Sequence, residues 1–221
     1  MSDPQEPSLQ ETSKIDGIVA VILAAGLSSR MAPQNKLLLE FGGEPLVRRL
    51  AREALASKAR QVIVVVGHDR WNVRKALGDV AVTIVENPDY TGNQMTSVRA
   101  GVLAAPPADG YLIIPGDMPL LNAADFDRLI ARFQELGGEK AVVPFDETER
   151  GNPILIPGWS REEMYRRGIN FGCRNLLINY PELVSPLKTA EPQFFQDCDT
   201  PEAYRDLLVL FAARTPAAKS A

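Results

Sequence analysis

Arg30, Lys36 and Asp117 are the residues whose types and settings suit chemistry on a nucleotide's phosphates. The stretch 19–41, VAVILAAGLSSRMAPQNKLLLEF, runs an apolar strand into Leu23-Ala24-Ala25-Gly26 and then onto a loop that carries two cations. A strand that stops at small residues leaves backbone N–H groups free at its carboxyl end, where open parallel sheets bind ligands. The small residues Ala24, Ala25 and Gly26 therefore offer a base or phosphate close approach to the main chain, and Leu23 before them is expected with them among the nucleotide-binding residues. Arg30 adds a planar fork and Lys36 a mobile point charge for phosphate oxygens. Asp117 lies in IIPGDMPLL, residues 113–121, where a second buried strand ends in a glycine turn. A carboxylate there can hold Mg2+, a hard cation that keeps several waters and reaches phosphate oxygens through one or two acidic side chains. An aspartate in such a turn also serves as a cap or turn residue.

Further polar side chains stand at helix starts. Thr96 and Ser97, in NQMTSVRAG, offer short hydroxyls and free N–H groups suited to base edges or to an anion at a helix N-terminus. Asp197-Cys198-Asp199-Thr200-Pro201-Glu202 is a second acidic centre, in which Thr200 is a good N-cap and Pro201 fits the first helical position. The single histidine, His68, is expected to be structural or peripheral. Arg48, Arg49, Arg52, Lys58 and Arg60 read as the solvated face of one helix.

These residues need a scaffold, and the chain predicts one of alternating strands and helices. A helix over 45–56 precedes a continuous Val/Ile run at 61–66, the pattern of a strand buried on both faces. A helix at 71–77, a strand at 82–86, a helix at 97–105 and a strand at 111–114 follow, then a helix at 123–136 and a strand at 141–145. This order implies a doubly wound α/β domain with a mainly parallel sheet and right-handed crossovers. Strands at 152–156, 183–187 and 194–196, a helix at 172–179 and a closing amphipathic helix at 201–212 complete the prediction. No linker divides two domains: residues 1–16 read as a flexible lead-in, 17–212 as the domain and 213–221 as a flexible tail.

Neither GxxxxGK[ST] nor GxGxxG is present, which disfavours a P-loop NTPase and a standard dinucleotide-binding dehydrogenase. LAAGLSSRMAPQNK instead resembles the LAAGxSxRMGxxK signature of nucleotidyltransferases of the MocA/MobA-like type, the molybdopterin cytidylyl- and guanylyltransferases. Ala32 replaces the usual glycine, and the spacing from Arg30 to Lys36 is longer. The resemblance covers roughly residues 18–210. It implies that GDMP supplies a metal aspartate, Asp117, and that the acidic segment before the last helix supplies another, Asp199 first and Asp197 second. It also implies that Ser97 borders the nucleotide base, and that Asn152, in Arg150-Gly151-Asn152-Pro153, and Arg174, in NFGCRNLL, face the second substrate. LAAG, where the guanylyltransferases usually carry LAGG, favours CTP over GTP. The implied reaction is transfer of CMP to the terminal phosphate of molybdopterin with release of pyrophosphate, with Mg2+ as cofactor and with Arg30, Lys36 and Asp117 as the catalytic residues. A molybdenum hydroxylase or its chaperone would then receive the product. A guanylyltransferase of the same cofactor, a sugar-phosphate or phospho-alcohol nucleotidyltransferase, and a non-catalytic nucleotide-binding protein stay open.

Composition narrows the classes further. At 221 residues, with 45% hydrophobic and 24% charged, the chain has the balance of a soluble globular domain. Its 24 basic and 28 acidic residues give a net charge of -4, so no electrostatic footprint for nucleic acid exists. No apolar run is long enough for a membrane span, and the polar, acidic start lacks the apolar core of a secretory signal. Cys173 and Cys198 are too few for a disulfide scaffold and form no metal cluster in sequence. A cytoplasmic protein is expected.

Overall fold

β-Branched and aliphatic runs build the centre of the sheet, because strands covered by helices on both faces must be apolar throughout. The computed structural model describes residues 15–31, 33–166 and 179–214. Among these, β1 (Ile15–Ala24), β4 (Gln61–Val66), β5 (Thr83–Glu86), β6 (Ala108–Pro115), β7 (Ala141–Phe145), β8 (Ile154–Pro157) and β9 (Val184–Lys188) form one seven-stranded sheet in the order β5-β4-β1-β6-β8-β7-β9. β2 (Glu40–Phe41) and β3 (Glu44–Pro45) form a small separate hairpin. The helices are α1 (Leu46–Ala56), α2 (Arg70–Leu77), α3 (Gln94–Ala104), α4 (Ala123–Glu135), α5 (Ser160–Tyr165) and α6 (Pro201–Arg214).

The sheet is parallel except at β8, which pairs antiparallel with both β6 and β7. The connection from Phe145 to Ile154 holds no helix, and without a crossover a strand can only return antiparallel. Pleating divides the core into two layers. Ile18, Ala20, Ile22 and Ala24 of β1 face the layer of α1, α2 and α4, while Val19, Val21, Leu23 and Ala25 face α3. Gly101 lets α3 approach this second layer: a Cβ there would stand 2.3 Å from Val21 Cγ1. Each fully buried aliphatic side chain contributes roughly 1.5–3 kcal/mol, so the two-sided core holds the strand ends in fixed register.

The predicted order holds with local corrections. β1 takes in Ile15 and Asp16, which the sequence places in the lead-in. α3 opens at Gln94 rather than at Ser97, because the Asn93 side chain caps it by accepting from Met95 N. The strand expected at 194–196 does not form: Phe194 closes a 3-10 turn, Pro192–Phe194, and Phe195 and Gln196 continue outside any strand. α5 and the β2–β3 hairpin are not anticipated. The helix expected at 172–179 falls outside the described residues, apart from its last residue. Arg49 is not solvated: it is buried, donates to Leu121 O at 2.8 Å and lies 4.8 Å from the Phe211 ring. Burial lowers its pKa from the ordinary arginine value, against the opposing charge of Glu53.

The closing helix α6 fastens the hairpin that follows the Lys36 loop. Phe41 meets Tyr204 and Phe211 edge to face at 5.4 and 5.7 Å, and Tyr204 Oη donates to Glu40 O at 3.1 Å. Among the described residues no helix is long and apolar enough to cross a membrane.

Candidate active site

The carboxyl ends of the paired strands β1 and β6 open onto a cavity of about 310 Å³. Its wall includes Leu23, Ala25 and Gly26 from the β1 strand end, Arg30 and Lys36 from the loop that follows, Tyr90 and Ser97 from the β5–α3 segment, and Asp117 and Asp199. Ala24, expected among the nucleotide-binding residues, has its side chain fully buried in the opposite core layer and does not line the cavity. The pleat alternates side chains between faces, so Leu23 and Ala25 cannot share a wall with Ala24.

Arg30 lies in a 3-10 turn, Ser29–Met31, anchored by the buried Met31. Lys36 opens a second such turn, Lys36–Leu38, where Leu37 is buried and Asn35 is the N-cap, accepting from Leu37 N at 3.0 Å. Asp117 follows a turn fixed to the β1 strand end, because Gly116 N donates to Leu23 O at 3.0 Å. A Cβ on Gly116 would stand 2.6 Å from that carbonyl oxygen, so no larger residue fits without displacement.

Asp117 in turn holds the second acidic centre. Cys198 N donates to Asp117 O at 2.8 Å, and the Cys198 side chain is buried in the core. Its neighbours therefore turn the other way, and Asp117, Asp197 and Asp199 each bring a carboxylate oxygen to within 4.8 Å of the others. Thr200 caps α6, accepting from Ala203 N at 3.1 Å, so the segment is both a helix start and part of the acidic cluster.

Lys36 Nζ bridges Asp117 Oδ2 and Asp199 Oδ1, each at 2.5 Å. Arg30 Nη2 pairs with Asp199 Oδ2 from a side chain that is 68% exposed, where ion pairs contribute about 0–1 kcal/mol. Lys36 is only 15% exposed, so its charge is felt more strongly. Burial alone would lower the Lys36 pKa, but the charges and hydrogen bonds of Asp117 and Asp199 raise it above the ordinary lysine value. Desolvation, then the charges of Asp117 and Asp199, push the Asp197 carboxyl up. Burial pushes the Cys198 thiol up to about 11, which keeps it neutral.

The donor set suits a hard divalent cation: carboxylate oxygens alone, gathered in one cluster and already holding a cationic group. The lining also includes Ser97 of α3. Ser97 is buried and receives a hydrogen bond at 3.0 Å from Asn87 Nδ2, which also donates to Thr96 Oγ1 at 2.9 Å.

Asn152, Arg99 and His68 stand apart from this cavity. Asn152 precedes β8 at the same end of the sheet, with its N–H donating to Phe194 O at 2.7 Å, but it does not line the wall. Arg174 lies outside the described residues. Arg99 Nε donates to Met164 O at 3.0 Å and ties α3 to α5. His68 lies outside the lining, with its ring 6.1 Å from that of Tyr90. Sequence reasoning missed Asn35, Asn87 and Tyr90. The preference of asparagine for helix caps marks Asn35, directly before Lys36, whereas nothing local marks the other two.

Known proteins share both the fold and the sequence features. The profile of the MobA-like NTP transferase domain matches residues 20–183. The molybdenum cofactor cytidylyltransferase of Escherichia coli (strain K12) is 28% identical over 191 residues, a match covering 86% of this chain and 95% of that protein. A bifunctional protein GlmU from Synechococcus sp. is 35% identical over 128 residues, covering 55% of this chain and only 20% of the relative. A nucleotidyl transferase from Methanothermobacter superposes with a TM-score of 0.78 at 21% identity, over 90% of this chain and 99% of that one. A Mycobacterium tuberculosis H37Rv protein whose crystal structure is a complex with manganese gives a TM-score of 0.63 at 25% identity, over 87% of this chain and 98% of that one. The profile match spans most of the sheet and the cavity wall formed by its strand ends, and the chain belongs to the MobA-like NTP transferase domain family.

Proposed function

We propose that the protein transfers CMP from CTP to the terminal phosphate of molybdopterin, with release of pyrophosphate. The observation that carries this reading is the bridge of Lys36 to Asp117 and Asp199 beside a strand-end cavity. A cation and a carboxylate cluster meet there, where a triphosphate and its metal would both be neutralised. The acceptor is supported by the cytidylyltransferase of E. coli, which this chain matches over 95% of its length. LAAG at the β1 strand end supports CTP.

In the reaction a terminal phosphate oxygen of the acceptor bonds to the α-phosphorus of CTP. The bond from that phosphorus to the β-phosphate oxygen breaks on the opposite side, and pyrophosphate carries off the electron pair. Such a step depends on alignment and charge neutralisation rather than on a strong base. Lys36 and Arg30 exchange their carboxylate partners for phosphate oxygens and balance the charge of the triphosphate and its leaving group. Leu23, Ala25 and Gly26 let the nucleotide pack on the strand end, and Ser97, oriented by Asn87, meets its base. Asp117 and Asp199, with Asp197 beside them, would hold Mg2+, which supplies Lewis-acid neutralisation of phosphate charge when bound. Asn152 and Arg174 are assigned to the acceptor side, and a molybdenum hydroxylase or its chaperone is the receiver of the product.

Pyrophosphate release with Mg2+ and each of CTP, GTP, ATP and UTP, with and without molybdopterin or its molybdenum form, tests this reading. Release that requires CTP, the pterin and Asp117, and that is lost in Asp117→Ala, is expected. Silence with every pterin pair but release with a sugar phosphate would move the acceptor to that class. Nucleotide binding without turnover on any acceptor would leave a non-catalytic protein.

A further inference from the structure

Ser28 and Asp69 have positive φ, at 50° and 54°, a conformation unusual outside glycine. Both hold the same side chain. Asn35 Oδ1 accepts from Ser28 Oγ at 3.3 Å and from Leu37 N at 3.0 Å, while Asn35 Nδ2 donates to Asp69 Oδ2 at 3.1 Å. The amide orientation follows from its partners, since an aspartate carboxylate only accepts. Asp69 is itself fixed, accepting from Asn72 Nδ2 at 2.7 Å through its other oxygen. Three segments thus meet on Asn35: the loop after β1, the turn that opens with Lys36, and the start of α2. Unusual backbone conformations persist where surrounding contacts over-determine them, and they gather at sites whose geometry matters.

We propose that Asn35 is a positioning residue for the transfer reaction, held by Asp69 and Ser28 so that the adjoining Lys36 delivers its ammonium group to the phosphates. This rests on the proposed nucleotidyltransferase reading. Asn35 does not itself line the cavity; it acts by fixing the direction in which the Lys36 turn leaves its cap. A small misalignment of a charge-neutralising group lowers turnover steeply, while leaving acceptor binding much as it was.

Exchange of the hydrogen-bond polarity tests this. Asn35→Asp places a second carboxylate against Asp69 and abolishes the bond between them. The double variant Asn35→Asp/Asp69→Asn restores it in the reverse direction, keeps acceptors for Ser28, Leu37 and Asn72, and places at position 69 a residue that tolerates positive φ. The expected result is a kcat lower by roughly tenfold to a hundredfold in Asn35→Asp, with the acceptor KM within about threefold and kcat largely recovered in the double variant. Melting followed by circular dichroism should leave both variants folded at the assay temperature. A single variant with wild-type kcat, a double variant as slow as the single one, or a kcat loss that matches a loss of folded protein would overturn the proposal. If wild type releases no pyrophosphate with any acceptor, the functional reading fails by itself. Affinity for Mg-pyrophosphate on the same three proteins then decides the inference: weakening by Asn35→Asp and recovery in the double variant support it. Equal affinities, or no binding to wild type, overturn it.

Discussion

Two cavities lie at opposite ends of the same sheet, and the smaller one is where the proposed reaction falls. The carboxyl-end cavity, about 310 Å³, is lined by Arg30, Lys36, Asp117 and Asp199. The amino-end cavity, about 580 Å³, lies between the starts of β1 and β6 and the end of α4; its wall includes Phe133, Trp159 and several glycines, and Asp109 is its one ionisable side chain. There Asp109 Oδ2 accepts Gly17 N at 2.7 Å, so that carboxylate serves the local backbone. Size therefore does not mark the site. In a parallel sheet the loops after successive strands gather at the carboxyl end, which is where open α/β sheets bind ligands. Lys36, Asp117 and Asp199 come from three such segments, whereas the other end joins connections that only close the fold.

The largest effect should come from removing the charge at the centre of the first cavity. Lys36→Ala should lower turnover by roughly a hundredfold to a thousandfold, the usual cost of losing one preorganised charge-stabilising group. The pH dependence has a definite sign. Because Asp117 and Asp199 outweigh burial and raise the Lys36 pKa, its charge is complete below the ordinary lysine value and is lost only as pH rises through the raised one. Turnover should therefore show no alkaline decline owed to Lys36 below about pH 10. An alkaline limb near pH 8 that Lys36→Arg removes would contradict this account of the site.

A smaller effect should follow from forcing the two acidic segments away from the β1 strand end. In Gly116→Ala the new methyl group would meet Leu23 O at 2.6 Å and Leu37 Cδ2 at 3.0 Å, on the wall that carries Lys36 and next to Asp117. Overpacking of this kind costs about 1–3 kcal/mol of stability. Turnover should fall about tenfold, since the carboxylate cluster moves against the Lys36 turn. A variant with both wild-type melting and wild-type turnover would show that the strand-end contact is not what sets the cluster.

The first cavity was legible in sequence where its signals are local. Small residues followed by two cations mark the β1 strand end, and Gly-Asp-Met-Pro marks the second. The pair of aspartates around Cys198 was also readable in principle, since an apolar residue between two acids in an extended segment turns both acids to one side. Parity at Ala24 and Ala25 was not readable. β1 is buried on both faces, so its sequence is apolar without alternation, and nothing local tells which alanine faces which layer. Arg49 misled for a related reason, as its helix face is covered by α6, whose Phe211 comes from the far end of the chain. The bond from Asn35 to Asp69 joins the ends of two crossover units, a distance no window of sequence spans. What was legible, then, was chemistry carried by contiguous residues, and what was hidden was the choice among faces made by tertiary packing.

The smallest effect should come from the larger cavity. Trp159 is 39% exposed at the rim of the amino-end cavity, on the turn that leads from β8 into α5. Its indole Nε1 donates to Glu139 O at 3.3 Å, which joins that turn to the segment between α4 and β7. Trp159→Ala removes this hydrogen bond and apolar area, so stability should fall by about 1 kcal/mol, visible as a lower midpoint in urea. Turnover, by contrast, should stay within about twofold of wild type, since the core strands β1 and β6 separate this rim from the carboxylate cluster at the other end of the sheet. A loss of turnover comparable to that of Gly116→Ala would mean that the two ends are coupled through those strands. The division of labour between the cavities would then be one of degree, and β6, which begins at the large cavity and ends two residues before Asp117, would be the element to probe next.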